Sequence, residues 1–107
     1  MKDARILLAE DEAIVGIEIK NSLQRLGYTH TDLVPTGKEA LQEVDERTPD
    51  LVLMDVNLEG SMDGIEATKR IHEEHDVPVV FVTAHSSDSV LSRIRDTDAA
   101  GYVVKPI

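Results

Sequence analysis

Cysteine and tryptophan are both absent from the 107 residues, and two tyrosines with one phenylalanine supply all the aromatic surface. Without cysteine there is no disulfide framework and no thiolate metal site, a composition that suits a reducing cytoplasm. With so few rings, the core has to be built from Ile, Leu, Val and Ala. Basic residues are scarce too: 11 Lys and Arg stand against 21 Asp and Glu, a formal net charge of -10. That sign argues against direct nucleic-acid binding by this segment, because gripping a phosphate backbone takes a basic footprint. No apolar run approaches the ~20 residues of a membrane span, and Met1-Lys2-Asp3-Ala4 leads into a strand rather than a signal peptide. The expectation is a soluble, cytoplasmic domain with no membrane insertion.

What the chain does have is a set of short apolar runs, each followed by a polar residue. The runs are Arg5-Ile-Leu-Leu-Ala9, Leu51-Val-Leu-Met54, Val79-Val-Phe-Val82 and Gly101-Tyr-Val-Val104, and Glu10, Asp11, Asp55, Thr83 and Lys105 stand at or just past their ends. Near-continuous apolar stretches of this length read as strands of a parallel sheet buried on both faces, and in such sheets the chemistry collects at the carboxyl ends. Three carboxylates, a hydroxyl and an ammonium then converge on one crevice, a place for Mg2+ and a phosphoryl group.

Helical patterns alternate with these runs. Val15, Ile19, Leu23 and Leu26 recur at helical spacing, with Gly27 where a left-handed C-terminal cap would sit. A second strand over about 29–34 precedes Thr36, which can cap a helix carrying Ala40, Leu41 and Val44 while Glu39 completes a capping box. Asp63 and Glu66 repeat that logic for a helix running to about His75, with Ile65, Thr68 and Ile71 toward the sheet. A weaker pattern over about 87–97 carries Val90, Leu91 and Ile94 and is expected to be the most mobile helix. Strand-helix alternation with short connections gives right-handed crossovers and a parallel sheet covered on both faces. The predicted fold is α/β and doubly wound, with five strands.

In this combination the chain resembles the receiver domain of two-component response regulators, over essentially every residue but a last helix. The resemblance implies a flavodoxin-like strand order 2-1-3-4-5, and it makes residues 1–107 a single receiver domain, cut before its fifth helix, from the N-terminal part of a longer protein. It implies that Asp55 is the phosphoacceptor, that Glu10 and Asp11 organise Mg2+ (or Mn2+) with Asp55 and the backbone carbonyl of Asn57, and that Thr83 and Lys105 hold the phosphoryl oxygens. Thr83 and Tyr102 become the switch pair, Asn57 and His85 influence loss of the phosphoryl group, and a cis bond before Pro106 aims Lys105 inward. A histidine kinase or phosphotransfer protein is the implied donor, a linked output domain or partner protein the target, and helix four with strand five a possible dimer surface. Two departures stand out: Glu10 where Asp is commoner, and a loop from Asn57 to Asp63 one residue longer than usual and without its proline.

Physical chemistry supports the same assignment. A carboxylate is a poor nucleophile toward another anion, so Asp55 needs a cation beside it, and magnesium favours oxygen ligands with room left for water and phosphate. Lys105 adds a point charge, and positioning with electrostatics is most of what phosphoryl transfer requires.

Plainer readings remain for single residues. Glu10, Asp11 and Glu12 could be a solvated helix start, Thr83 an ordinary strand residue, Tyr102 a packed aromatic and Lys105-Pro106 a surface turn. His72 and His75 could bind a metal, but the Glu-Glu between them does not make a zinc signature, and a solvated helix end weighs more. Against the regulatory domain stand a Mg2+-dependent phosphohydrolase and a receiver that signals without phosphorylation. The first is disfavoured because Asn57 stands where such enzymes generally carry a second Asp and no cap domain fits. The second is disfavoured because every chemical position is filled.

Overall fold

A computed structural model describes residues 3–58, 60–84 and 88–105. In chain order the elements are β1 (Arg5–Ala9), α1 (Ala13–Arg25), β2 (His30–Val34), α2 (Gly37–Glu46), β3 (Leu51–Asp55), α3 (Gly64–Glu74), β4 (Val79–Thr83), α4 (Asp88–Arg95) and β5 (Gly101–Val104). All strands are parallel in the order β2-β1-β3-β4-β5. The fold is the flavodoxin-like five-stranded arrangement predicted. Among the described residues no helix follows β5.

The helix ends follow the local chemistry. Thr36 Oγ1 accepts from the Glu39 amide at 3.1 Å, and Asp63 Oδ1 from the Glu66 amide at 2.9 Å, so both expected caps form. The Glu66 carboxylate is turned along its own helix to Arg70, at 3.2 Å, rather than back to complete a box. At the end of α1, Gly27 takes φ 98° while the Tyr28 amide reaches the Leu23 carbonyl at 2.9 Å, a left-handed cap that a residue with a Cβ adopts at a cost. Pro49 is buried just beyond α2, and α3 stops at Glu74 with His75 as its extended C-cap.

Two apolar layers sandwich the sheet. Leu7, Val52, Met54, Val79 and Phe81 meet Ala40 and Val44 of α2, Ile65 and Ile71 of α3 and Ile94 of α4. On the other face Ile6, Leu8, Leu53 and Val82 meet Ile19 of α1, flanked by Val15 and Leu23. Leu26, by contrast, is 64% exposed beyond the last helical turn. The expectation that all four apolar runs are buried on both faces holds for β1, β3 and β4 and fails for β5. Tyr102, Val103 and Val104 are 47%, 41% and 42% exposed, because β5 is an edge strand and no helix among the described residues lies over it.

Candidate functional site

Backbone register delivers the polar residues to one end of the sheet. The Glu10 amide donates to the Val34 carbonyl at 3.0 Å, extending the β1–β2 ladder by one rung, and the Lys105 amide donates to the Thr83 carbonyl at 2.8 Å, doing the same for β4–β5. Asp55 closes β3 opposite Val82, and Thr83 closes β4 opposite Val104. These residues lie 95 positions apart at the extremes, Glu10 to Lys105, yet the parallel register places their side chains in contact.

Lys105 Nζ donates to Glu10 Oε1 in a short contact and to Asp55 Oδ2 at 3.3 Å. Asp55 Oδ1 accepts from the Asn57 amide at 3.1 Å, and Glu10 Oε2 from the Glu12 amide at 3.3 Å, so local turns hold both carboxylates. The Glu10, Asp55 and Lys105 side chains are 1%, 7% and 14% exposed, and Thr83 is fully buried. Such burial is tolerable for charges only when they are paired and hydrogen-bonded. Desolvation, helped by the neighbouring Asp55, pushes the Glu10 carboxyl above its usual range. Burial works against the charge on Lys105 as well, but its contacts with Glu10 and Asp55 outweigh that and hold the ammonium above its ordinary value.

One oxygen each from Glu10, Asp11 and Asp55 lie within 4.8 Å of one another. Three carboxylates face one ammonium there, leaving net negative charge at the end of a low-dielectric crevice. An all-oxygen donor set of that charge suits a hard dication such as Mg2+ or Mn2+, so the residues present fit the cation the sequence implied.

Asn57 is exposed, with its amide turned to Asp55. The Tyr102 ring stands half exposed at the β5 edge rather than packed into the site. His85 and Pro106, together with the bond joining Pro106 to Lys105, lie outside the described residues, but the Lys105 ammonium does point inward.

Gly64 is a participant that the sequence reading missed. A Cβ built on it would lie 1.8 Å from the Asp55 carbonyl oxygen, and its amide donates to Val56 at 3.0 Å. The bare backbone of the first α3 residue therefore sets where β3 ends and where Asp55 sits. The Asp63-Gly64 pair, a glycine directly behind a helix cap, was the available signal. Arg93 of α4 reaches Asp63 Oδ2 at 2.6 Å, tying α4 to that junction. Burial works against the Asp63 charge, yet the Glu66 amide and Arg93 outweigh it and hold the carboxyl below the usual range.

Comparison with known proteins places the same residues in a family context. Residues 6–107 match the response regulator receiver domain. The transcriptional regulatory protein PdtaR of Mycobacterium tuberculosis is 37% identical over 102 residues, which span 95% of this chain and 49% of that protein. The chain thus spans about half the length of the curated relatives it matches. Among solved structures, the N-terminal domain of a response regulator/sensory box/GGDEF three-domain protein from Carboxydothermus hydrogenoformans superposes with a TM-score of 0.86 at 38% identity, covering 96% of this chain and 82% of that one. The receiver domain of a sensor histidine kinase from Pseudomonas aeruginosa, solved with magnesium coordinated in its active site cleft, gives 0.88 at 29% identity, with 98% and 87% covered.

Proposed function

The chain belongs to the response regulator receiver family, and we propose that it works as a phosphorylation switch in which Asp55 accepts a phosphoryl group with a divalent cation held by Glu10, Asp11 and Asp55. The observation that carries this reading is the convergence of those carboxylates with Lys105 at the carboxyl end of the parallel sheet. A bound magnesium ion would neutralise charge on the incoming phosphoryl oxygens.

The chain's own groups account for the rest. The Asp55 carboxylate attacks phosphorus, an O–P bond forms, and the bond to the donor breaks, either the N–P bond of a kinase phosphohistidine or the O–P bond of a small acyl phosphate, whose electron pair leaves with the donor. Lys105, already 3.3 Å from Asp55 Oδ2, moves its charge onto the transferred group. The Thr83 hydroxyl, from the end of the neighbouring strand, would donate to a phosphoryl oxygen. The Asn57 carbonyl would complete the cation's protein ligands, and His85 with Asn57 would govern the access of water.

Phosphorylation adds negative charge and acceptor oxygens beside Thr83. Movement of Thr83 opens space that the half-exposed Tyr102 ring can enter from the β5 edge, converting a charge change into a change of the α4–β5 surface. The relatives are about twice the length of this chain, so the target of that surface is proposed to be a linked output domain or a partner protein, and a second copy is a further candidate.

Intact-mass spectrometry after incubation with acetyl phosphate and Mg2+ tests the proposal. One labile phosphoryl adduct is expected, absent without Mg2+ and absent in Asp55→Asn. An adduct that persists in Asp55→Asn would remove Asp55 from its role. Absence of both an adduct and a beryllofluoride-bound state would sink the switch.

A further inference from the structure

We propose that Asp45, Glu74 and His75 form a second cation site, selective for a transition metal of the zinc class, that clasps the C-terminal ends of α2 and α3. The site lies on the edge of the molecule away from the mouth formed by Asp55, and it is independent of the phosphorylation reading.

The geometry is already close to that of a site. His75 Nε2 lies 2.8 Å from Asp45 Oδ1 across 30 residues of sequence, and a Glu74 carboxylate oxygen completes a set whose members all fall within 4.8 Å of one another. Tetrahedral zinc with bonds of about 2.1 Å holds its ligand atoms roughly 3.4 Å apart. The His75–Asp45 contact is shorter than that value and the remaining separations stay within 4.8 Å, so loading needs an opening of the His75–Asp45 contact. The protein frame for this is fixed: the His75 amide donates to the Ile71 carbonyl at 2.9 Å, seating the imidazole on the last turn of α3. Its side chain is 22% exposed, whereas Asp45 is 59% exposed and free to adjust.

Donor chemistry separates this cluster from the mouth of the sheet. Glu10, Asp11 and Asp55 offer oxygen alone, which suits Mg2+; Asp45, Glu74 and His75 offer an imidazole nitrogen with two carboxylates, a set that favours zinc and its neighbours over magnesium. Asp45-Glu46 and Glu73-Glu74-His75-Asp76 make the local sequence acidic, so a dication also relieves like-charge crowding. A cleft of about 560 Å3 bordered by Glu74, His75, Asp76 and Asp98 opens beside the cluster and leaves room for water at the fourth position. His72, the other histidine of this helix, is not part of the set: its Nε2 is engaged with the Val77 carbonyl at 3.0 Å. The ligands therefore come from two helices rather than from a His72–His75 pair on one.

Residues 45 and 74–75 meet only in the folded chain, so binding must stabilise it. The test is calorimetric titration of Zn2+ into the whole chain held in excess Mg2+, with a parallel Co2+ titration followed by visible absorption. Expected are one Zn2+ per chain, a raised Tm, and a tetrahedral cobalt spectrum. His75→Gln and Asp45→Asn should each weaken binding by about tenfold or more, while Asp55→Asn leaves the zinc stoichiometry unchanged. Comparison of Tm in EDTA separates lost ligation from lost folding, and Asp45→Asn keeps the imidazole in place should His75→Gln prove unstable. Absence of zinc binding under excess Mg2+, or equal affinity in wild type and both variants, overturns the site.

Discussion

The two faces of the sheet are unequally built. Among the described residues, fifteen buried ones make the layer packed with α2, α3 and α4, against five in the layer packed with α1, so the first face carries most of the hydrophobic stabilisation. The second face grades into open surface: Ile14 and Ile17 of α1 are 74% and 52% exposed and Val103 of β5 is 41% exposed. The mouth that holds Asp55 lies where the thick layer is sealed by Met54, Val56 and Ile65. The difference is one of depth: the layer against α2, α3 and α4 is closed, while the layer against α1 runs out into exposed surface at the β5 edge.

Truncation of Phe81 should show the inequality most strongly. Its ring is fully buried at the centre of the thick layer, in a chain with no other Phe and no Trp. Phe81→Ala is expected to cost about 3–5 kcal/mol in urea unfolding, enough to unfold much of a domain with ordinary marginal stability. A loss below about 1 kcal/mol would mean that the layer collapses around the cavity and that the faces are less unequal than they look.

Next in size is Gly64→Ala. The added Cβ would overlap the Asp55 carbonyl at 1.8 Å, and the overlap is with backbone, which cannot rotate away. A cost of about 3 kcal/mol is expected, together with slower phosphorylation, because the strand end carrying Asp55 must move. Unchanged stability with slowed phosphorylation would show that the loop yields cheaply and that Gly64 serves position alone.

Burial leaves a mark on sequence, and register largely does not. The β1, β3 and β4 runs, the Thr36 and Asp63 caps and the turn at Gly27 were all legible, because each depends on a residue and its near neighbours. The exposure of β5 was not legible in its residues, since Tyr102-Val-Val104 reads like any buried strand; the strand order and the missing last helix that the resemblance implied were what marked it as an open edge. Likewise the five polar positions were visible at strand ends, but the grip of Lys105 on Glu10 as well as Asp55 depends on the relative rungs of β1, β3 and β5. Gly64 against Asp55 and His75 against Asp45 are close approaches between elements, for which sequence spacing carries almost no signal.

A smaller effect probes the latch between α3 and α4. Asp63 both caps α3 and pairs with Arg93, and its carboxyl is held below the usual range. A depressed folded pKa stabilises above the unfolded value near 4, and that stability is lost as pH falls through the folded pKa. Asp63→Asn keeps a competent cap and removes the charge, so its stability should fall less steeply than wild type as the pH drops below about 5. Asp63→Ala should lose about 1 kcal/mol at neutral pH. Identical acid limbs in Asp63→Asn and wild type, measured by urea midpoints across pH, would remove the charge from the latch.

Ile17→Ser should do least. The side chain is 52% exposed on α1, two positions from Ile19, which is 5% exposed and belongs to the thin layer. Removing a half-exposed side chain forfeits little burial, and serine is a modestly poorer helix former, so a change within about 0.5 kcal/mol is expected. A larger loss that grows with protein concentration would mean that the open face is covered in solution by a second copy of the chain, since only an associated state makes stability depend on concentration. The comparison of faces would then hold for the isolated chain and fail for the assembly.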